Sequence, residues 1–284
     1  DGAKRPVVFY NHGGGFATGS GGAMGQDGAN LARHFDVVVV ETNHRLNIFG
    51  FLYLGAIAGE EYATSGNNGI LDIVEGLKWV KTNIAQFGGD PDNVMICGES
   101  GGGYKTSILY GMPAAAPYFN KASIESGPGL RVNSLETAAM VAELTLKELG
   151  IAKNDWRKLF EVPAEQLFTL QGQMNHFLQG KALKKGERFG FAPVVDQVSI
   201  LAHPFVPAAP ALSKEKPVMV GWNADEYIFF LMTGGNLEPL KLGAKEDKRV
   251  VELLRPQYGA HAEEIVRTYR RCRPEATASE LYVA

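Results

Sequence analysis

Cysteine is nearly missing: Cys97 and Cys272 are the only two, too few for a disulfide framework. Cys97 falls in an apolar run, so we read it as a buried, inert thiol. An excess of one charge is missing too, since 28 Lys and Arg face 31 Asp and Glu for a formal net charge of -3. That balance gives no electrostatic case for nucleic acid or an anionic membrane and favours a small, neutral partner. No apolar run reaches the roughly 18 residues of a membrane span, and no charged-then-apolar leader opens the chain. Nothing in the sequence fixes a compartment. An initiator methionine is also absent: Asp1 to Arg5 leads straight into a strand-like Pro6 to Asn11, so we expect a chain cut at this end. No metal site and no cofactor is expected.

What is present is a stretch from Phe87 to Tyr104, FGGDPDNVMICGESGGGY. A turn-rich entry is followed by the apolar run Val94 to Ile96, then by Gly98-Glu99-Ser100-Gly101-Gly102 and a helix-length segment, Gly103 to Met112, which Pro113 stops. Strand, sharp turn and helix around Gly-x-Ser-x-Gly make the nucleophile elbow of α/β-hydrolases, where the turn lifts a serine hydroxyl clear of the sheet edge. Glycine is needed at 98 and 102 because a Cβ two residues before or after the serine would clash across the turn. The free N–H groups of the following helix favour negative charge beside Ser100. A bare Gly-x-Ser-x-Gly is weak in a chain with 34 glycines; its context makes it specific.

At 284 residues one α/β domain is the expectation. Val7 to Tyr10 is a continuous apolar strand, as in a parallel sheet covered on both faces. His12-Gly13-Gly14-Gly15-Phe16 follows, and glycines there let backbone N–H groups face a cavity, which suits an oxyanion hole. His12 is read as structural. Val37 to Val40 gives a second core strand, and Thr42 to Leu54, with no clean period, reads as irregular. From Asn68, Ile70, Ile73, Val74, Leu77, Val80 and Ile84 recur at helical steps. Lys121 to Glu125 is the next strand. Asn133, with Glu136 three residues on, resembles the cap of a helix that Gly150 ends. Helical pieces continue to about Gln179, and the excursion over 133–190 is where such a fold builds its pocket wall. Ala192 to Asp196 and Pro217 to Gly221 return to strand pattern, the second as a short buried strand. Acidic Asp225 and Glu226 follow it, on the sheet edge where ligands bind. Charged helices fill Ala244 to Ala284.

Six pieces occur in the order found in one known family: HGGGF at 12–16, NHRLNIFGFL at 43–52, NNGILDIVEGLKWVKTNIAQFGGDPDNV at 67–94, CGESGGG at 97–103, FAPVVD at 191–196 and VGWNADE at 220–226. The chain resembles the type-B carboxylesterases, the cholinesterase-like branch of the α/β-hydrolases, over most of Val7 to Phe230. The resemblance implies a mostly parallel central sheet flanked by helices, with helical insertions after the nucleophile. It implies a serine carboxylic-ester hydrolase acting on a small-molecule ester through an acyl-serine. Ser100 would be the nucleophile, the N–H groups of Gly14, Gly15 and Gly101 the oxyanion hole, and Glu226 the triad acid, with Asp225 as runner-up. Two other outcomes stay open: a catalytically silent binding domain of the same family, and an amide or carbamate hydrolase sharing the acyl-enzyme chemistry.

The base is what the chain lacks. Triads of this fold run Ser, acid, His, and His261 is the only histidine after Glu226. It sits in a charged, helix-like stretch and reads as a surface residue, whereas the family's histidine lies in a loop after a further strand. We therefore expect residues 1–284 to be a portion of one larger catalytic domain lacking N- and C-terminal parts. The catalytic histidine is then expected beyond Ala284, on the same polypeptide or on a companion chain.

Overall fold

The computed structural model describes residues 2–24, 26–177, 187 and 190–284. It divides into two compact units, 1–221 and 222–284. In the first, chain order gives β1 (Arg5–Asn11), α1 (Ala29–Phe35), β2 (Val38–Glu41), α2 (Asn47–Phe51), α3 (Gly55–Ala58), α4 (Asn68–Asn83), β3 (Gly89–Glu99), α5 (Gly101–Tyr110), β4 (Lys121–Glu125), α6 (Leu135–Glu148), α7 (Ala164–Phe177) and β5 (Val218–Gly221). All neighbouring strands are parallel, in the order β2-β1-β3-β4-β5. The parallel sheet flanked by helices is the architecture expected from the sequence.

Continuous apolar runs explain the centre of this sheet. Val7, Val8 and Phe9 of β1 and Val94 and Ile96 of β3 are buried, as are Ile70, Ile73, Val74, Leu77, Val80 and Ile84 along one face of α4 and its continuation. Each such side chain contributes about 1.5 to 3 kcal/mol by leaving water. The strand order also fixes where a site belongs. From β1 the chain moves outward to β2, and from β2 it returns across β1 to β3. The carboxyl ends of β1 and β3 therefore flank the point where the winding direction reverses, and crevices form there.

Several expectations need correction. Val38 to Glu41 is only half-buried, because β2 stands at the sheet edge. The segment 217–221 is not a buried strand: Val218, Met219 and Val220 are 43%, 65% and 44% exposed at the opposite edge. An apolar run reports only that burial would be favourable; a covering layer must supply it. Residues 42–54 contain α2 rather than irregular chain. The cap of α6 is Ser134, whose Oγ accepts from Thr137 N at 3.3 Å, while Asn133 makes a bridge to Val194. That bridge is the only pairing described in the expected strand 192–196. Asp196 instead accepts the backbone N–H groups of Val198, Ser199 and Ile200. Of the helical excursion 133–190, residues 178–186, 188 and 189 lie outside the described residues.

The second unit comprises α8 (Tyr227–Thr233), α9 (Asp247–Tyr258), α10 (Ala262–Cys272) and α11 (Ala278–Val283). Val250, Val266 and Ala278 form its small core. Asp247 receives both Nε and Nη2 of Arg270, at 2.9 and 2.6 Å, and Thr277 with Glu280 forms a capping box for α11. Among the described residues, no helix is long and apolar enough to cross a membrane.

Candidate active site

Ser100 stands between β3 and α5 with φ 54° and ψ -118°, a backbone conformation that a side chain rarely adopts. Neighbouring backbone forces it there. Ser100 N donates to Glu125 O at 2.9 Å, which ties the turn to β4, and Ser100 O accepts from Tyr104 N at 3.0 Å as α5 begins. A Cβ at Gly98 would lie 2.5 Å from the backbone of Gly102, and one at Gly102 would lie 1.9 Å from the carbonyl oxygen of Asn11. Both glycines of the motif are thus required by close approach, as the sequence pattern anticipates.

The parallel register sets Asn11 against Gly98, so the chain leaving β1 runs beside the chain leaving β3. Gly13 is consequently next to Ser100: a Cβ there would be 3.7 Å from the serine's own. Gly14 and Gly15 have φ of 81° and 64°, and Gly15 packs so closely on Gly101 that a Cβ on Gly101 would meet its nitrogen at 2.4 Å. The N–H groups of Gly14, Gly15 and Gly101 donate to no protein acceptor among the described residues. Phe16 closes the loop edge-on to Phe51 and Tyr104, each at 5.2 Å between ring centres. Three unengaged backbone donors beside a strained serine can hold an oxygen on which negative charge develops.

Two residues of this site are not singled out by the sequence. Gly127, just past β4, would place a Cβ 2.0 Å from Ser100 O; a Gly beyond the strand adjoining the elbow was the available signal. Lys105 is wholly buried in α5, and its Nζ donates to His12 O at 2.9 Å. A helical lysine ordinarily reads as solvent-facing, so no local pattern marks it.

The histidines nearest this loop serve structure. His12 and His44 are buried and stacked, with ring centres 4.5 Å apart, and His12 Nδ1 lies 2.9 Å from Gly13 O. Burial first, then the charge of Lys105, drives His44 down to about 3 and lowers His12 as well. A histidine in the unfolded chain titrates near about 6.5. Above that pH both states hold His44 neutral. Below it the unfolded chain takes up a proton that the fold refuses, so stability is lost as pH falls from about 6.5 toward 3, by about 1.4 kcal/mol per unit for His44. Urea midpoints at about pH 7 and about pH 4.5 check this: His44→Phe should shrink the acid loss, and an undiminished loss would refute it. Arg45 is likewise structural, donating through Nε and Nη2 to Asp72 at 2.8 and 2.7 Å.

Ser100, Gly14, Gly15 and Gly101 therefore come together in the first unit. Glu226, Asp225 and His261 belong to the second. Glu226 stands just before α8, is half-buried, and accepts from Asn223 N at 2.8 Å. It lines a groove of about 520 Å³ with Tyr227, Phe230, Tyr258, Tyr269 and Tyr282. Asp225 is exposed. His261 is exposed at the start of α10, its Nδ1 3.9 Å from Glu264 Oε2. Among the described residues no group of three or more His, Cys, Asp or Glu side chains is placed to hold a metal ion.

Comparison with known proteins meets this geometry. The chain is 39% identical over 228 residues to the para-nitrobenzyl esterase of Bacillus subtilis, covering 79% of this chain and 45% of that protein. It is 35% identical over 261 residues to the liver carboxylesterase of Sus scrofa, covering 90% and 45% respectively. The crystal structure of a carboxylesterase from Geobacillus stearothermophilus at pH 6.2 superposes with a TM-score of 0.82 at 38% identity, over 99% of this chain and 56% of that one. The chain thus spans about half the length of the relatives it matches. With the profile of the carboxylesterase family matching residues 1–282 and a serine elbow facing a glycine loop, the chain belongs to the carboxylesterase family.

Proposed function

We propose that the protein is a carboxylic-ester hydrolase that works through an acyl-Ser100 intermediate. The observation that carries this reading is the meeting of Ser100, held at φ 54°, with the unengaged N–H groups of Gly14, Gly15 and Gly101. Ser100 Oγ attacks the ester carbonyl carbon, and the carbonyl oxygen, now an oxyanion, is held by those N–H groups. Collapse of the tetrahedral species expels the alcohol; water then attacks the acyl-serine and releases the acid. Glu226 is assigned as the carboxylate that orients a histidine base, and that base follows Glu226 in the family's order.

Residues 1–284 are read as part of one catalytic domain, and the excursion 133–190 as a wall of its substrate pocket. An apolar cleft of about 200 Å³, which Leu159, Phe160 and Leu167 share with Ile48 and Phe49, supports the latter. A small, uncharged ester suits such a wall. The similarity to a para-nitrobenzyl esterase makes para-nitrobenzyl acetate the substrate to try first.

The reading is tested on the full-length polypeptide with an alkyl fluorophosphonate. Stoichiometric labelling mapped to the Ser100 peptide, with loss of ester hydrolysis in step, is the expected result. Labelling confined to another residue, or hydrolysis that survives complete labelling, overturns it.

A further inference from the structure

Lys105 is the one lysine or arginine side chain that is buried among the described residues. It is 0% exposed, and among the described residues no carboxylate pairs with it. Burial pushes its ammonium group down to about 7. A desolvated cation without a counter-ion opposes folding, and an apolar side chain of the same length would fill the space with less penalty. Its one hydrogen bond among the described residues is to His12 O, at 2.9 Å.

That carbonyl leads directly into the glycine loop. Gly13, Gly14 and Gly15 have no side chains with which to anchor themselves, and glycine backbone has the most freedom to lose. Downstream the loop is held by Asn47 N donating to Phe16 O at 2.6 Å and by the turn closed on Gly14 O. Upstream it is held from α5. Lys105 takes the His12 carbonyl, and the adjacent Thr106 Oγ1 accepts from Asn11 Nδ2 at 3.0 Å. Two successive residues of the helix that follows Ser100 thus grip the two residues that precede the glycines.

We propose that Lys105 is a positioning residue for acyl transfer: through the His12 carbonyl it fixes the Gly13–Gly15 backbone relative to Ser100. This rests on the reading that Ser100 attacks the ester while the N–H groups of Gly14, Gly15 and Gly101 receive the oxyanion. Lys105 touches no reacting atom. It sets the distance between the attacking oxygen and the donors, a quantity to which the tetrahedral state is far more sensitive than the bound ester.

The test uses Lys105→Met in the full-length polypeptide, with para-nitrobenzyl acetate as substrate and an alkyl trifluoromethyl ketone as inhibitor. The ketone adds to the serine and leaves its oxyanion in the same hole. We expect kcat and ketone affinity to fall together by about 30-fold, with KM within about 3-fold and Tm not lowered. A lowered Tm with kcat and ketone affinity unchanged in the folded protein would mean that Lys105 is only structural. Should the Met variant not fold, Thr106→Val carries the same question: a drop in ketone affinity is expected, and unchanged affinity overturns the inference. The two levels separate cleanly. Hydrolysis that persists in Ser100→Ala removes the catalytic reading, whereas a silent Ser100→Ala beside an unaffected Lys105→Met removes only the positioning role.

Discussion

Ser100→Ala in the full-length polypeptide is expected to lower kcat for a small ester by about 10⁵-fold while KM and Tm stay near their original values. The size follows from what is lost, since no acyl-enzyme can form and the oxyanion donors alone give only residual catalysis. Stability should be spared because alanine at φ 54° is no more strained than serine there. Ser100→Gly provides the complementary control. It is equally inactive but should be more stable by about 1 kcal/mol, because glycine adopts that conformation without steric cost. Turnover and thermal melts of the two variants decide the matter; a kcat above about one hundredth of the original in Ser100→Ala would point to a different nucleophile.

Gly102→Ala should be among the most damaging single methyl additions to this protein. The new Cβ would sit 1.9 Å from Asn11 O, a backbone atom of the interior strand β1, so no side chain can rotate away to make room. Either β1 or α5 must shift, and both are committed to the core through Phe9 and through Ile108 and Leu109. A loss of about 4 kcal/mol or more is expected, a large share of the roughly 5 to 15 kcal/mol that holds a domain folded. Gly172→Ala is the matched comparison. It lies within α7 with nothing within 4 Å of the added methyl group, and helix propensity predicts a gain of up to about 1 kcal/mol. Urea midpoints of the two variants measure the contrast, and a loss at Gly102 below about 1 kcal/mol would mean that the elbow backbone has slack.

Much of this arrangement was legible in the residues because the elbow and the glycine loop are local. Gly98, Ser100 and Gly102 lie within five positions, their requirement is steric, and any chain meeting it carries the same spacing. The α4 stripe was equally readable, since its period is a property of one helix. Burial at the sheet edges was not, because Val218 to Val220 has the composition of a core strand and only the third dimension says whether a layer covers it. Nor was the stacking of His12 on His44, which joins distant segments. Lys105 was the hardest of all: its role depends on a carbonyl in another loop, and nothing within α5 announces it. Glu226 is a different case, since its assignment comes from family resemblance and its local setting, a helix start beside a groove, is compatible with that role.

The pairing of Asn11 with Gly98 has a further implication. The two halves of the candidate site hang from adjacent strands, so the ladder between β1 and β3 acts as a ruler graduated in steps of about 3.3 Å. A slip of one step would carry the glycine loop past the serine by more than the length of a hydrogen bond and exchange the side chains that β1 presents to its two covering layers. A mispaired sheet would therefore be inert rather than a sloppy version of the native protein. Turnover in a population of refolding chains would count the molecules that have zipped in the correct register, and an ester that releases a chromophore becomes a register-specific reporter of folding.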